Sequence, residues 1–112
     1  MALKLLLKCG NIKETKAFYS ELLEFNVSGS GEGTCTVEKE GGEIIFTEED
    51  LWLGYPKCTG TIYFFLHDLD AYYESVKGRV IIRWPVEDMP YGTREFGIMD
   101  CNEYTLAFAK KI

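Results

Sequence analysis

One pattern is written twice along this chain. A short apolar strand, a capped helix and three further strands occupy about residues 1–50, and the same order returns over 58–112, a period of about 55 residues. With 112 residues there is room for one domain of two such modules and not for two full-size domains. The pattern is therefore β-α-β-β-β followed by β-α-β-β-β, an α+β chain with four strands per half.

The first module opens with Leu3, Leu5 and Leu7 alternating against Lys4, Leu6 and Lys8, the period of a strand. Asn11 followed three residues later by Glu14 has the form of a helix cap, and Ile12, Thr15, Phe18, Tyr19, Leu22 and Leu23 recur at helical spacing, which predicts a helix over Ile12 to Glu24. Phe25 to Val27 reads as a short strand, 28–33 as a glycine-rich flexible turn, and Thr34–Glu38 and Glu43–Thr47 as strands joined by a turn at Gly41-Gly42. Residues 48–60 have no period and form the longest irregular stretch, a place where function often resides.

The second module begins with a strand over Thr61 to Leu66. Asp68 is placed to cap a helix running to Lys77, with Leu69, Tyr72, Tyr73 and Val76 inward and Gly78 as its left-handed terminator. Val80 to Ile82 reads as a strand, Pro85, Pro90 and Gly92 as breaks, and Arg94–Met99 with Tyr104–Lys110 as a closing hairpin around 100–103.

Composition excludes several functions. No apolar run approaches the ~20 residues of a membrane span, and the opening Met1 to Lys8 stretch is too short for an export signal, so a cytoplasmic location is expected. A net charge of −6 repels phosphate backbones and argues against nucleic acid, while it suits a cationic small molecule or basic partner. Cys9, Cys35, Cys58 and Cys101 lie 26, 23 and 43 residues apart, so no close pair signals zinc, and free thiols are expected. Seven Tyr, seven Phe and two Trp exceed the needs of a small core, which leaves rings to line a pocket or an interface. No nucleophile elbow, Cys–His pair or phosphate-cradling glycine loop before a helix is present.

Three segments carry a family likeness in register. Asn11 to Phe25, with its Phe18-Tyr19 and Leu22-Leu23-Glu24-Phe25, resembles the first helix of the glyoxalase/bleomycin-resistance/extradiol-dioxygenase superfamily. Thr61 to Asp70 resembles its second strand and cap, and Tyr91-Gly92-Thr93-Arg94-Glu95-Phe96-Gly97-Ile98-Met99-Asp100 resembles its W-G-x-R-E-F stretch. The resemblance implies two βαβββ modules curling into a partly open mixed β-sheet barrel, as a rule in a homodimer.

Metal-dependent members of that family place His and Glu ligands on four strands. The matching positions hold Lys4, Ile45, Thr61 and Ala107, which cannot chelate an ion together, so neither metal nor other cofactor is expected. The single histidine, His67, falls at a strand-to-helix junction. By strand parity Leu3, Leu5, Leu7, Ile44, Phe46, Ile62, Phe64, Leu66, Leu106 and Phe108 should pack under the helices. The other face reads Lys4, Leu6, Lys8, Glu43, Ile45, Thr47, Thr61, Tyr63, Phe65, Thr105, Ala107 and Ala109, a mixture suited to an organic ligand. Trp52, Tyr63, Phe65 and Trp84 are candidates to stack a ring, with Tyr55, Tyr91 and Arg94 nearby in the pattern, and Glu43, Glu48, Glu49 and Asp50 are candidates to attract a cation.

The expected function is that of a bleomycin-resistance-type binding protein, with no catalytic residue, sequestering a small aromatic molecule that the acidic balance allows to be cationic. The alternatives are a metal-dependent lyase, isomerase or dioxygenase with ligands relocated to Glu43, Glu95, Glu103 or His67, and an interaction module without a small ligand.

Overall fold

A computed structural model describes residues 3–29 and 31–112; Met1 and Ala2 of the opening stretch and Ser30 of the glycine-rich turn lie outside the described residues. The chain divides into two compact units, Met1–Lys57 and Cys58–Ile112.

The first unit contains β1 (Lys4–Lys8), α1 (Ile12–Ala17), a π-helical turn (Phe18–Leu22), β2 (Asn26–Ser28), β3 (Thr34–Lys39) and β4 (Gly42–Thr47). Its four strands lie in the order β1-β4-β3-β2, with β1 parallel to β4 and the other pairs antiparallel. The parallel pairing requires a crossover, and α1 supplies it. Asn11 caps α1 as its residue type demands: its Oδ1 accepts the Glu14 N–H at 2.9 Å.

The regular helix stops earlier than its sequence period predicts. After Ala17 the chain widens, and the Leu23 N–H reaches the Phe18 carbonyl five residues back at 3.2 Å. Tyr19 and Leu23, carried by this turn, are both fully buried, and the Tyr19 ring lies 5.2 Å from the rings of Phe25 and Phe46. Packing of this aromatic cluster overrides the local helical pitch. Lys39 pairs with Gly42, so the β3–β4 hairpin turns at Glu40-Gly41 and not at Gly41-Gly42. Both turn residues have positive φ, as the two-residue turn requires, and Glu38 Oε2 accepts the Gly41 N–H at 2.8 Å.

The second unit contains β5 (Thr61–Phe65), α2 (Leu69–Val76), β6 (Ile81–Asp88), β7 (Thr93–Met99) and β8 (Thr105–Lys111), in the order β5-β8-β7-β6. Again the first strand is parallel to the last and the others pair antiparallel. Pro85 does not break the chain as expected. It lies inside β6, which is an edge strand with register shifts between Ile82 and Trp84 and between Trp84 and Glu87, the two settings in which a strand tolerates proline. Gly78 is not left-handed either; Lys77 closes α2 in right-handed geometry through its N–H to the Tyr73 carbonyl. Asp68 stands at the start of α2 without a side-chain capping bond.

Each unit has its own helix-facing core. Cys35, Val37, Ile44 and Phe46 are fully buried in the first, and Phe96, Ile98, Leu106 and Phe108 in the second. Tyr72 packs edge-on against Phe108 at 5.0 Å and Tyr73 against Phe96 at 4.8 Å, which identifies the α2 side of the second sheet. The predicted parity holds for Ile44, Phe46, Phe64, Leu66, Leu106 and Phe108. It does not extend to Leu3, which is 72% exposed, one residue before β1 begins, and Leu5, Leu7 and Ile62 are only half-buried on strands at sheet edges.

Candidate functional site

The face of the second sheet turned away from α2 carries an ordered set of side chains. Strand registers place Tyr63, Ala107, Gly97 and Trp84 in one row across β5, β8, β7 and β6. The next row holds Phe65, Ala109 and Glu95. Large rings stand at the sheet edges and small residues between them, so the rings have room to lean inward. Trp84 does so fully: a Cβ built on Gly97 would come within 2.5 Å of the indole. Only glycine allows this approach. The rings of Tyr63 and Phe65 lie 6.2 Å apart with an interplanar angle of 26° and remain 42% and 51% exposed.

Glu95 ties the rings together. It is fully buried, and its oxygens accept hydrogen bonds from four side chains. Thr93 Oγ1 and Tyr91 Oη donate to Oε1 at 2.7 and 3.0 Å, and Trp84 Nε1 and Tyr63 Oη donate to Oε2 at 3.2 and 3.1 Å. Two bare oxygens offer about four acceptor sites, so this donor set matches the carboxylate. Hydrogen bonding with Tyr91, followed by burial and the Glu95 carboxylate, raises the Tyr63 pKa above the usual phenol range.

The sequence reading singled out Tyr63, Phe65, Trp84, Tyr91 and Ala107, and the second sheet brings them together around a residue it did not choose as a ligand contact. The sequence reading named Glu95 only as a relocated metal ligand. Adjacent strand residues point to opposite faces, so Arg94 and Glu95 form no pair. Arg94 instead bridges Asp70 at 3.0 Å and Asp88 at 3.0 Å, joining α2 to β6, and these carboxylates, Asp88 first, raise its pKa. The available signal was parity itself: Glu95 shares a face with Gly97 and alternates with Phe96 and Ile98, a charge on the face of β7 turned away from α2. Thr61 lies at the exposed start of β5.

The predicted residues of the first unit make no comparable assembly. Lys4 Nζ lies 3.7 Å from Glu43 Oε1 across β1 and β4, and Ile45 stands between Leu6 and Thr36 in register. Of the acids expected to attract a cation, Glu43, Glu48 and Asp50 have partners. Lys8 Nζ pairs with Asp50 Oδ1 at 2.7 Å, and Asp50 also accepts the Gly54 N–H, which holds its carboxyl below the usual range. Glu48 Oε2 accepts the Ile12 N–H at 2.8 Å. Trp52 and Tyr55 stand out from the loop, with Tyr55 87% exposed.

The metal-dependent reading is tested by the donors present. Lys4, Ile45, Thr61 and Ala107 do not form a coordination set, and among the described residues no group of three or more His, Cys, Asp and Glu side chains is placed to hold an ion. Of the relocated candidates, Glu43 faces Lys4, and both oxygens of Glu95 are occupied by hydrogen-bond donors. His67 and Glu103 lie in different connections of the second unit, and Glu103 has the positive φ of a tight turn. These residues do not fit the metal of the family. Among the described residues no helix is long and apolar enough to cross a membrane.

No family model matches the sequence, and no curated protein matches it. Solved structures do. A glyoxalase/bleomycin resistance protein/dioxygenase from Alicyclobacillus acidocaldarius superposes with a TM-score of 0.80 at 16% identity, covering 100% of this chain and 92% of that one. A member of the glyoxalase/bleomycin resistance protein/dioxygenase superfamily from Sphaerobacter thermophilus gives 0.82 at 18% identity, covering 99% and 97%. TioX from Micromonospora sp. ML1 gives 0.79 at 15%, covering 100% and 99%. The fold of this chain, two βαβββ modules in sequence, is the glyoxalase/bleomycin-resistance fold. At these identities the likeness speaks for architecture, and function rests on the site.

Proposed function

We propose that this protein is a non-catalytic binder of the bleomycin-resistance type, which sequesters a small flat aromatic molecule against the ring-lined face of its second sheet. The observation that carries this reading is the row Tyr63-Ala107-Gly97-Trp84, with Phe65 beside it: rings at the margins, small residues between them, and two of the rings tied to one buried carboxylate. Rings held in place in this way lose little freedom when a ligand stacks on them, which favours binding. The absence of a fitting ligand set removes the motive for metal-assisted chemistry at the family's usual positions. Dimerisation, implied by the resemblance, belongs to the same proposal and is read by sedimentation.

The test is a thermal melt and an intrinsic-fluorescence titration with a panel of fused-ring aromatic probes. Saturable binding should raise the melting temperature with probe concentration. Phe65→Ser and Tyr63→Ser should each weaken it by roughly tenfold, the loss expected for one stacking partner. A panel that leaves the melt unmoved, or binding indifferent to both substitutions, refutes the assignment of this face.

A further inference from the structure

We propose that the exposed turn at 51–55 docks a basic segment of a partner protein, one that presents leucine-type side chains flanked by Lys or Arg. The inference is independent of the ring-lined face of the second sheet. Four apolar side chains crowd into five residues here: Leu51, Trp52, Leu53 and Tyr55 are each more than half exposed, and Leu53 is 85% exposed. Single exposed apolar residues need no explanation, whereas a cluster marks a site of contact.

Hydrogen bonds hold the turn in shape. Asp50 Oδ1 accepts the Gly54 N–H at 3.0 Å and the Lys8 ammonium at 2.7 Å, and the same ammonium donates to the Gly54 carbonyl. Residues 50–54 are thereby closed on themselves and anchored to β1. Within the turn Leu53 has a φ of 54°, a left-handed conformation that a leucine adopts at a cost. The backbone is strained there, and the leucine it carries lies in water, where it gains nothing for the fold. A preformed knuckle loses little freedom on binding, and burial of its leucines and rings supplies the driving force.

Charge selects the partner. The Glu48 N–H donates to the Gly33 carbonyl at 2.9 Å, which brings Glu32 to the base of the turn with Glu48 and Glu49. All three are exposed. Lys8 is committed to Asp50, and among the described residues Glu32, Glu48 and Glu49 form no ion pair. Lys57 is the one base from 48 to 57. An apolar centre with an acidic rim complements an apolar group rimmed by cations. A second copy docking turn to turn brings like charges together, and an anionic bilayer is repelled.

The test titrates the whole protein into two labelled amphipathic peptides, one of leucine and lysine and one of leucine and glutamate, read by fluorescence anisotropy. The lysine peptide should bind more tightly by roughly tenfold or more. Trp52→Ser and Leu53→Ser, which keep every charge, should each weaken it by roughly tenfold, with the melting temperature within about a degree of the wild type because both side chains are already in water. Glu49→Gln should weaken it by about threefold, chiefly through the association rate. Equal affinity for the two peptides, or a lysine peptide indifferent to both Trp52→Ser and Leu53→Ser, overturns the inference, as does failure of either peptide to bind. Trp52-dependent sedimentation with phosphatidylcholine vesicles would overturn it by making a membrane the occupant. Dissociation of a dimer by Trp52→Ser would overturn it by making the occupant a second copy.

Discussion

The two modules share an order of elements and a register, yet their faces away from the core differ in kind. Position by position, Leu6, Ile45, Thr36 and Ser28 of the first sheet correspond to Tyr63, Ala107, Gly97 and Trp84 of the second. Lys8, Thr47 and Thr34 correspond to Phe65, Ala109 and Glu95. The helix-facing positions do not diverge in this way: Ile44 and Phe46 answer to Leu106 and Phe108, all fully buried. A close-packed core admits only apolar groups of similar bulk. The other face carries no such demand, and the second module uses it for a polar knot within an aromatic frame.

The largest effects should fall where the modules are alike. Phe46→Ala and Phe108→Ala each remove a ring from a full core, and each should cost about 3–5 kcal/mol in denaturant unfolding. A cost confined to one of them would break the equivalence of the two cores. The comparison sharpens at the next pair. Glu95→Ala leaves four donors without their acceptor and should cost about 2–4 kcal/mol, less than the full sum because Tyr63 and Tyr91 can turn to water. Its counterpart Thr34→Ala should cost under about 1 kcal/mol. Equal losses would show that the knot contributes nothing beyond ordinary packing.

Helix entry gives a smaller contrast. Asn11→Ala removes a capping hydrogen bond and should cost about 1 kcal/mol, whereas Asp68→Ala removes none and should cost a few tenths. Reversal of that order would mean that Asp68 caps α2 in solution. The smallest effect is seen by alkaline titration. Tyr63 is raised above the usual phenol value, so its proton is held more tightly in the folded state. Its contribution to stability is therefore fully present below the unfolded value of about 10 and declines as pH rises through and beyond it. Absorbance titration should show a late-ionising phenol that Tyr63→Phe removes; a curve unchanged by the substitution would contradict the hydrogen-bonded arrangement.

Much of the fold was legible in the sequence. Alternating leucines in β1, the cap at Asn11 and the second apolar run at Thr61 locate the modules, because side-chain periodicity is set by backbone geometry and survives in one dimension. The misreadings have local causes. Pro85 looks like a break until β6 is known to be an edge strand with irregular register, and the helix after Ala17 looks regular until Tyr19 meets Phe25 and Phe46. At the candidate site, the ring-bearing residues stood out by type, whereas Glu95 stood out only as a candidate relocated metal ligand, with nothing in the sequence to show the four donors that meet it. For the acids of 43–50 the charge was visible in the sequence, and the partners of Glu43, Glu48 and Asp50 were not.

By itself, then, the sequence determined the repeated βαβββ order and most of the apolar helix-facing positions, since each follows from residue type and spacing along the chain. Tertiary structure alone decided that Trp84 lies over Gly97 and that Tyr63, Tyr91, Thr93 and Trp84 converge on Glu95. Those meetings depend on which strands lie side by side and in what register, and hydrogen bonds act over about 3 Å of space, whatever the distance along the chain.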